Sequence, residues 1–66
     1  MLEDKVKVNL RTLREEQGLS QDQMAEELGV VPRVYRQYET GMKLPGLKVM
    51  VSMASKFGKS VDDLLR

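Results

Sequence analysis

The chain has no cysteine and no histidine, so disulfides, thiolate zinc sites and imidazole general bases are excluded at the outset. Carboxylate-only sites for magnesium or calcium pass that filter, but they require oxygens clustered on a loop. No glycine-rich phosphate loop is present. No apolar run approaches the length that crosses a bilayer. The opening Met1-Leu2-Glu3-Asp4 is acidic where a signal peptide is basic, so a cytoplasmic protein is expected. Large excess charge is missing too: 11 Lys and Arg stand against 10 Asp and Glu, for a net +1, which by itself does not announce nucleic acid. The 66 residues allow a single domain. A chain of this size buries only about 60% of the surface it exposes when unfolded. Close helix packing or a partner subunit must therefore hold it together.

The charge that is present is unevenly placed. Residues 1–30 carry four basic and seven acidic side chains, whereas residues 31–66 carry seven basic and three acidic. The second half is thereby expected to face a polyanion, with a solvated rim as the plainer explanation. Carboxylates occur as neighbours at Glu15/Glu16, Glu26/Glu27 and Asp62/Asp63. Neighbours on a helix point about 100° apart, so these pairs do not converge as an acid and a base. An enzyme has little to work with here, and no metal, cofactor or small-molecule ligand is expected.

Apolar residues recur at three and four, which is the helical period. Val6, Leu10 and Leu13 form a stripe that ends near Gly18. Ser20 opens a second helix as a capping box with Gln23, its inward face being Met24, Ala25 and Leu28, and Gly29 is its left-handed stop. Pro32 suits the first position of a third helix. Tyr35 and Tyr38 lie on one face of it, read as core rather than as platforms for bases, and Gly41 closes it. A loop with Pro45 leads to a fourth helix over 47–57, with a core stripe of Leu47, Met50, Ala54 and Phe57 and with Met53 on the flank. Ser60 caps a short last helix, whose first turn carries Asp62 and Asp63. The expected fold is all-α, a compact bundle of five helices.

The spacing between the second and third helices is informative. Counted from Gln21, Ala25 is fifth, Gly29 ninth, Tyr35 fifteenth and Tyr38 eighteenth. A small fifth residue lets the helices cross closely, and a ninth-position glycine lets the chain reverse in a few residues. This is the spacing of a helix-turn-helix, over about residues 20–40, whose second helix enters a DNA major groove. Gly18-Leu19-Ser20-Gln21, Met24-Ala25-Glu26-Glu27-Leu28-Gly29-Val30 and Tyr38-Glu39-Thr40-Gly41 together resemble the phage-repressor-type helix-turn-helix family, the Xre or lambda-repressor-like domains. The likeness continues through Pro45, Leu47, Ala54, Phe57-Gly58 and Val61-Asp62-Asp63-Leu64-Leu65, covering roughly residues 6–65.

The resemblance implies a sequence-specific, DNA-binding transcriptional regulator, repressor- or Cro-like. It would act as a homodimer on a pseudo-palindromic operator of double-stranded DNA, with the third helix in the major groove. Pro32, Arg33, Arg36, Gln37 and Thr40 would then face the bases, Arg33 suiting guanine and Gln37 adenine. Ser20, Gln21 and Lys43 would meet phosphate, and Arg14 with Glu39 would form a scaffold salt bridge. Several residues depart from the family pattern. Val31 replaces a hydroxyl cap, Pro32 a polar side chain and Tyr35 an aliphatic one, so the Tyr35 hydroxyl must find a partner or reach the surface. Lys59 stands where Val is common. Met42, Leu44 and Val49 are apolar where the family is polar, and with Val61, Leu64 and Leu65 they are candidates for the dimer interface. The chain ends with this domain, so control through concentration, operator arrangement or a second protein is expected. The alternative is a protein-binding module such as an antitoxin, in which the apolar residues engage a different chain.

Overall fold

Ser20 and Ser60 each precede a helix, and each does what a hydroxyl cap is suited to do. The computed structural model describes residues 2–66, with side chains from residue 4 onward, so the side chains of Met1-Leu2-Glu3 lie outside it. Five helices follow in order: α1 (Leu2–Glu16), α2 (Gln21–Leu28), α3 (Pro32–Thr40), α4 (Leu47–Phe57) and α5 (Val61–Leu65). No strand occurs among the described residues. At α2 the Ser20 Oγ accepts from the Gln23 N–H at 3.0 Å, while Gln23 Oε1 accepts from the Ser20 N–H at 2.8 Å. The same reciprocal box opens α5, between Ser60 and Asp63. Those bonds hold the Asp63 carboxyl below the usual carboxylate range, the Ser60 N–H being the largest cause.

The helix ends are equally local. Gly29 turns α2 with φ 68°, a left-handed conformation that a side chain would strain. The next N–H, that of Val30, reaches back to the Ala25 carbonyl at 3.0 Å and satisfies it. Leu19 after Gly18 and Lys59 after Gly58 bond back in the same way, to Arg14 and Ala54. At α3, Val31 is the N-cap without a side-chain bond, and Pro32 supplies a first residue that needs none.

The core gathers the helical stripes. Val6, Leu10 and Leu13 of α1 meet Met24 and Ala25 of α2, Tyr35 and Tyr38 of α3, Met50, Met53 and Ala54 of α4, and Leu64 of α5. The main helix packings are α1 with α3 and α5, α2 with α3 and α4, and α4 with α5. The tyrosine rings meet edge to face, with centroids 6.2 Å apart, a favoured arrangement for aromatic quadrupoles. Asn9 Nδ2 of α1 donates to the Leu64 carbonyl at 2.8 Å and so secures the end of α5. Two expectations need correction on α4. Leu47 is 71% exposed, whereas Met53 is fully buried, so the inward stripe is Met50, Met53 and Ala54 with Phe57 half-buried. Leu47 begins the helix, beyond the reach of the elements that cover the next turn.

Candidate nucleic-acid interface

The orientation of α3 follows from which of its residues find the core. Tyr35, Tyr38 and Glu39 are buried. At about 100° per residue, Arg36, Thr40, Arg33 and Gln37 then fall on the opposite arc. A polar outer face and an aromatic inner face thus share nine residues.

Glu39 locks that orientation. Its side chain is 1% exposed and accepts from Arg14 Nε at 2.6 Å, from Arg14 Nη2 at 3.2 Å and from Gln21 Nε2 at 3.1 Å. The Tyr35 hydroxyl, one helical turn back, donates to Oε2, the oxygen that also accepts from Arg14 Nε. Arg11 Nε stands 3.7 Å from Oε1, and Arg14 Nη1 also donates to the Leu19 carbonyl at 2.9 Å. One carboxylate therefore joins α1, α2 and α3. Burial alone would raise its pKa, but the bonds from Arg14, Tyr35 and Gln21 outweigh burial and hold the carboxyl below its ordinary range. Burial, followed by the bond to Glu39, pushes the Tyr35 phenol far up, and the bond to Glu39 raises Arg14. The Tyr35 hydroxyl that departs from the family pattern is thus part of the scaffold. Its signal in the sequence is the spacing of four between Tyr35 and Glu39, which puts the two side chains on one helical face.

The residues expected to meet DNA differ in how free they are. Arg33 is exposed and makes no bond to any described residue; Pro32 beside it is exposed as well. Gln37 is half-buried, its Nε2 lying 3.7 Å from the Met42 sulfur. Arg36 is held by Asp22 of α2 at 3.2 Å. The Thr40 hydroxyl donates to the Gln37 carbonyl at 3.0 Å and accepts from the Met42 N–H at 3.3 Å, finishing α3. Lys43 lies exposed in the loop beyond, with its N–H bonded to the Gln37 carbonyl. On α2, Ser20 is occupied as the cap. Gln21, expected to be exposed and free for phosphate, is half-buried with its amide donating to Glu39, because that buried carboxylate offers a stronger acceptor than water.

The apolar candidates divide in the same way. Leu64 is 2% exposed and belongs to the core, so it is unavailable to a partner. Val49, Val61 and Leu65 are half-buried against that core. Met42 and Leu44 are open, and sequence reasoning missed two more, Leu47 and Val51, one turn apart on α4. It also missed Asp22, whose pairing spans two helices and so escapes any count along one helix. No helix among the described residues is long and apolar enough to cross a membrane.

Known proteins share this arrangement. The helix-turn-helix family model matches residues 10–64. The HTH-type transcriptional regulator YqaE of Bacillus subtilis is 33% identical over 58 residues, 88% of this chain and 50% of its own length. The cryptic phage CTXphi transcriptional repressor RstR of Vibrio cholerae is 35% identical over 60 residues, 91% of this chain and 54% of its own. The chain therefore spans about half the length of the curated relatives it matches. Among solved structures, the clp gene regulator ClgR from Corynebacterium glutamicum matches 98% of this chain and 69% of its own, with a TM-score of 0.86 and 28% identity. The chain thus belongs to the helix-turn-helix family, of the phage-repressor type.

Proposed function

We propose that this domain reads double-stranded DNA as a transcriptional regulator. It sets α3 into the major groove and binds a pseudo-palindromic operator as a homodimer. The observation that carries the reading is the outer face of α3, where Arg33, unpaired among the described residues, stands beside Gln37 on a helix fixed from behind by Glu39. A guanidinium carried on a helix so fixed suits the O6 and N7 acceptors of guanine, and a carboxamide suits adenine. Pro32 offers only an apolar contact, such as a thymine methyl. Arg36 and Thr40 stand on the same arc engaged by a carboxylate and by the backbone, whereas the Gln37 amide meets only the weak Met42 sulfur acceptor, so Arg33 and Gln37 carry the reading of bases. Lys43 and the backbone N–H groups that open α2 face phosphate, with Ser20 and Gln21 fixing that helix end in place. Such a partner places the protein inside the cell, with the nucleoid.

The test is selection of random duplexes on the wild-type protein, followed by titration of the enriched and scrambled sequences over a salt series. Enrichment of a two-fold symmetric site is expected, with half-sites about one helical turn apart. Arg33→Ala and Gln37→Ala should each weaken binding to that site by roughly 1–3 kcal/mol and relax the preference at one base pair. Binding that is weak, steeply salt-dependent and indifferent to sequence would reduce the domain to generic phosphate attraction. A second reading, a protein-binding module such as an antitoxin, draws on the exposed Met42, Leu44, Leu47 and Val51. Joint substitution of Arg33 and Gln37 separates the two, since it should spare a protein partner and abolish regulation through DNA.

A further inference from the structure

Sequence alone gives the outer arc of α3 two guanidinium groups; among the described residues, the structure gives a partner to one of them. Arg36 Nη1 lies 3.2 Å from Asp22 Oδ1, across the turn between α2 and α3. Both side chains are open to solvent, 50% for Arg36 and 74% for Asp22. Exposed ion pairs add little to folding. The weight of this one therefore falls on what its charges meet outside the molecule. Asp22 lies in the first turn of α2, where the helix dipole favours an anion. The carboxylate thus offers Arg36 an anionic oxygen within hydrogen-bond distance, the same chemistry that a phosphate oxygen presents, and it travels with the protein to every sequence.

We propose that Asp22 is a specificity-determining residue, an internal substitute for phosphate that masks Arg36 and holds down affinity for duplexes of arbitrary sequence. This rests on the DNA-binding reading above. On arbitrary sequence nothing fixes the pose of α3, so an unmasked guanidinium finds a phosphate in whichever pose suits it. At an operator, contacts from Arg33 and Gln37 hold one pose, and the extra cation has less to gain. Unmasking therefore favours the wrong sites over the right one.

The experiment is a salt-series titration of wild type, Asp22→Asn and the double variant Asp22→Asn with Arg36→Ala, on the selected duplex and on a scrambled one. Asp62→Asn is the control. It breaks the exposed Asp62–Arg66 pair on α5, which packs against α1 and α4 away from the recognition helix. For Asp22→Asn, the plot of log affinity against log salt on scrambled DNA should steepen by about 0.9, the value of one further phosphate contact. Its advantage over wild type should shrink roughly 3.5-fold between about 50 and 200 mM salt, and the ratio of specific to scrambled affinity should fall. The double variant should return to the wild-type slope. An unchanged or shallower slope in Asp22→Asn, an equal change in Asp62→Asn, or a steep slope retained in the double variant would each overturn the masking while leaving DNA binding intact. A wild type and an Asp22→Asn variant that both bind no duplex would overturn the two readings together.

Discussion

Glu39 concentrates in one side chain what most small domains distribute over many. Taking a carboxylate out of water is costly, and a buried ion pair often stabilises no better than well-packed apolar side chains of the same volume. Breaking such a pair is another matter, because the abandoned partner keeps its desolvation cost. Glu39→Ala would leave Arg14 and the Tyr35 hydroxyl without their acceptor, at an expected cost of about 3–5 kcal/mol measured by urea unfolding. The pH dependence follows from the depressed carboxyl. A group bound more tightly as the anion when folded contributes its full stability above the ordinary Glu range, near ~4.3, and loses it as pH falls through the lower folded-state value. The stability gap between wild type and Glu39→Gln should therefore be widest from about pH 5 upward and narrow in acid. A gap that stayed constant from neutral pH down into the acid range would mean that the charge of Glu39 is not what holds the three helices.

At the scale of the element, α2 and α3 form a contrast. The first has a complete capping box, and the second begins at Val31 with no side-chain bond and with 61% of that residue exposed. The Val31 backbone, at φ −65° and ψ 135°, already has the extended conformation that a capping residue needs. Val31→Ser should thus stabilise the domain by roughly 1 kcal/mol, and such a gain lifts the thermal midpoint by about 4–8 °C in a domain of this size. An unchanged midpoint would show that Pro32 alone suffices to start the helix. Helix ends of this kind were legible in the sequence, because Ser20, Gly29, Pro32 and Gly41 act on the residues next to them. The phase of α4 was not. Seven of its eleven residues are apolar, so several stripes fit equally well, and only the placement of α2 and α5 selects Met53 over Leu47 for the core. The site was legible to the same extent: the outward arc of α3 follows from its period, but the Asp22–Arg36 pair and the inward turn of Gln21 depend on how two helices lie together.

The whole molecule measures 25 × 25 × 21 Å and leaves Met42, Leu44, Leu47 and Val51 uncovered. A homodimer would hide them. Leu47→Glu combined with Val51→Glu is expected to convert a dimer to a monomer in sedimentation equilibrium while leaving the helical circular dichroism unchanged, since neither side chain is buried in the single chain. A wild type that stays monomeric both free and on its selected duplex would remove the two-fold assembly. One further consequence concerns the joints. At Gly18, Gly29 and Gly58 the chain turns within a narrow range of φ, 67–69°, and bonds straight back into the helix it has just left. Helices connected so tightly leave little slack for adjustment. A duplex that meets this block must supply the deformation itself, and the stiffness of base steps that no side chain touches then enters the choice of site.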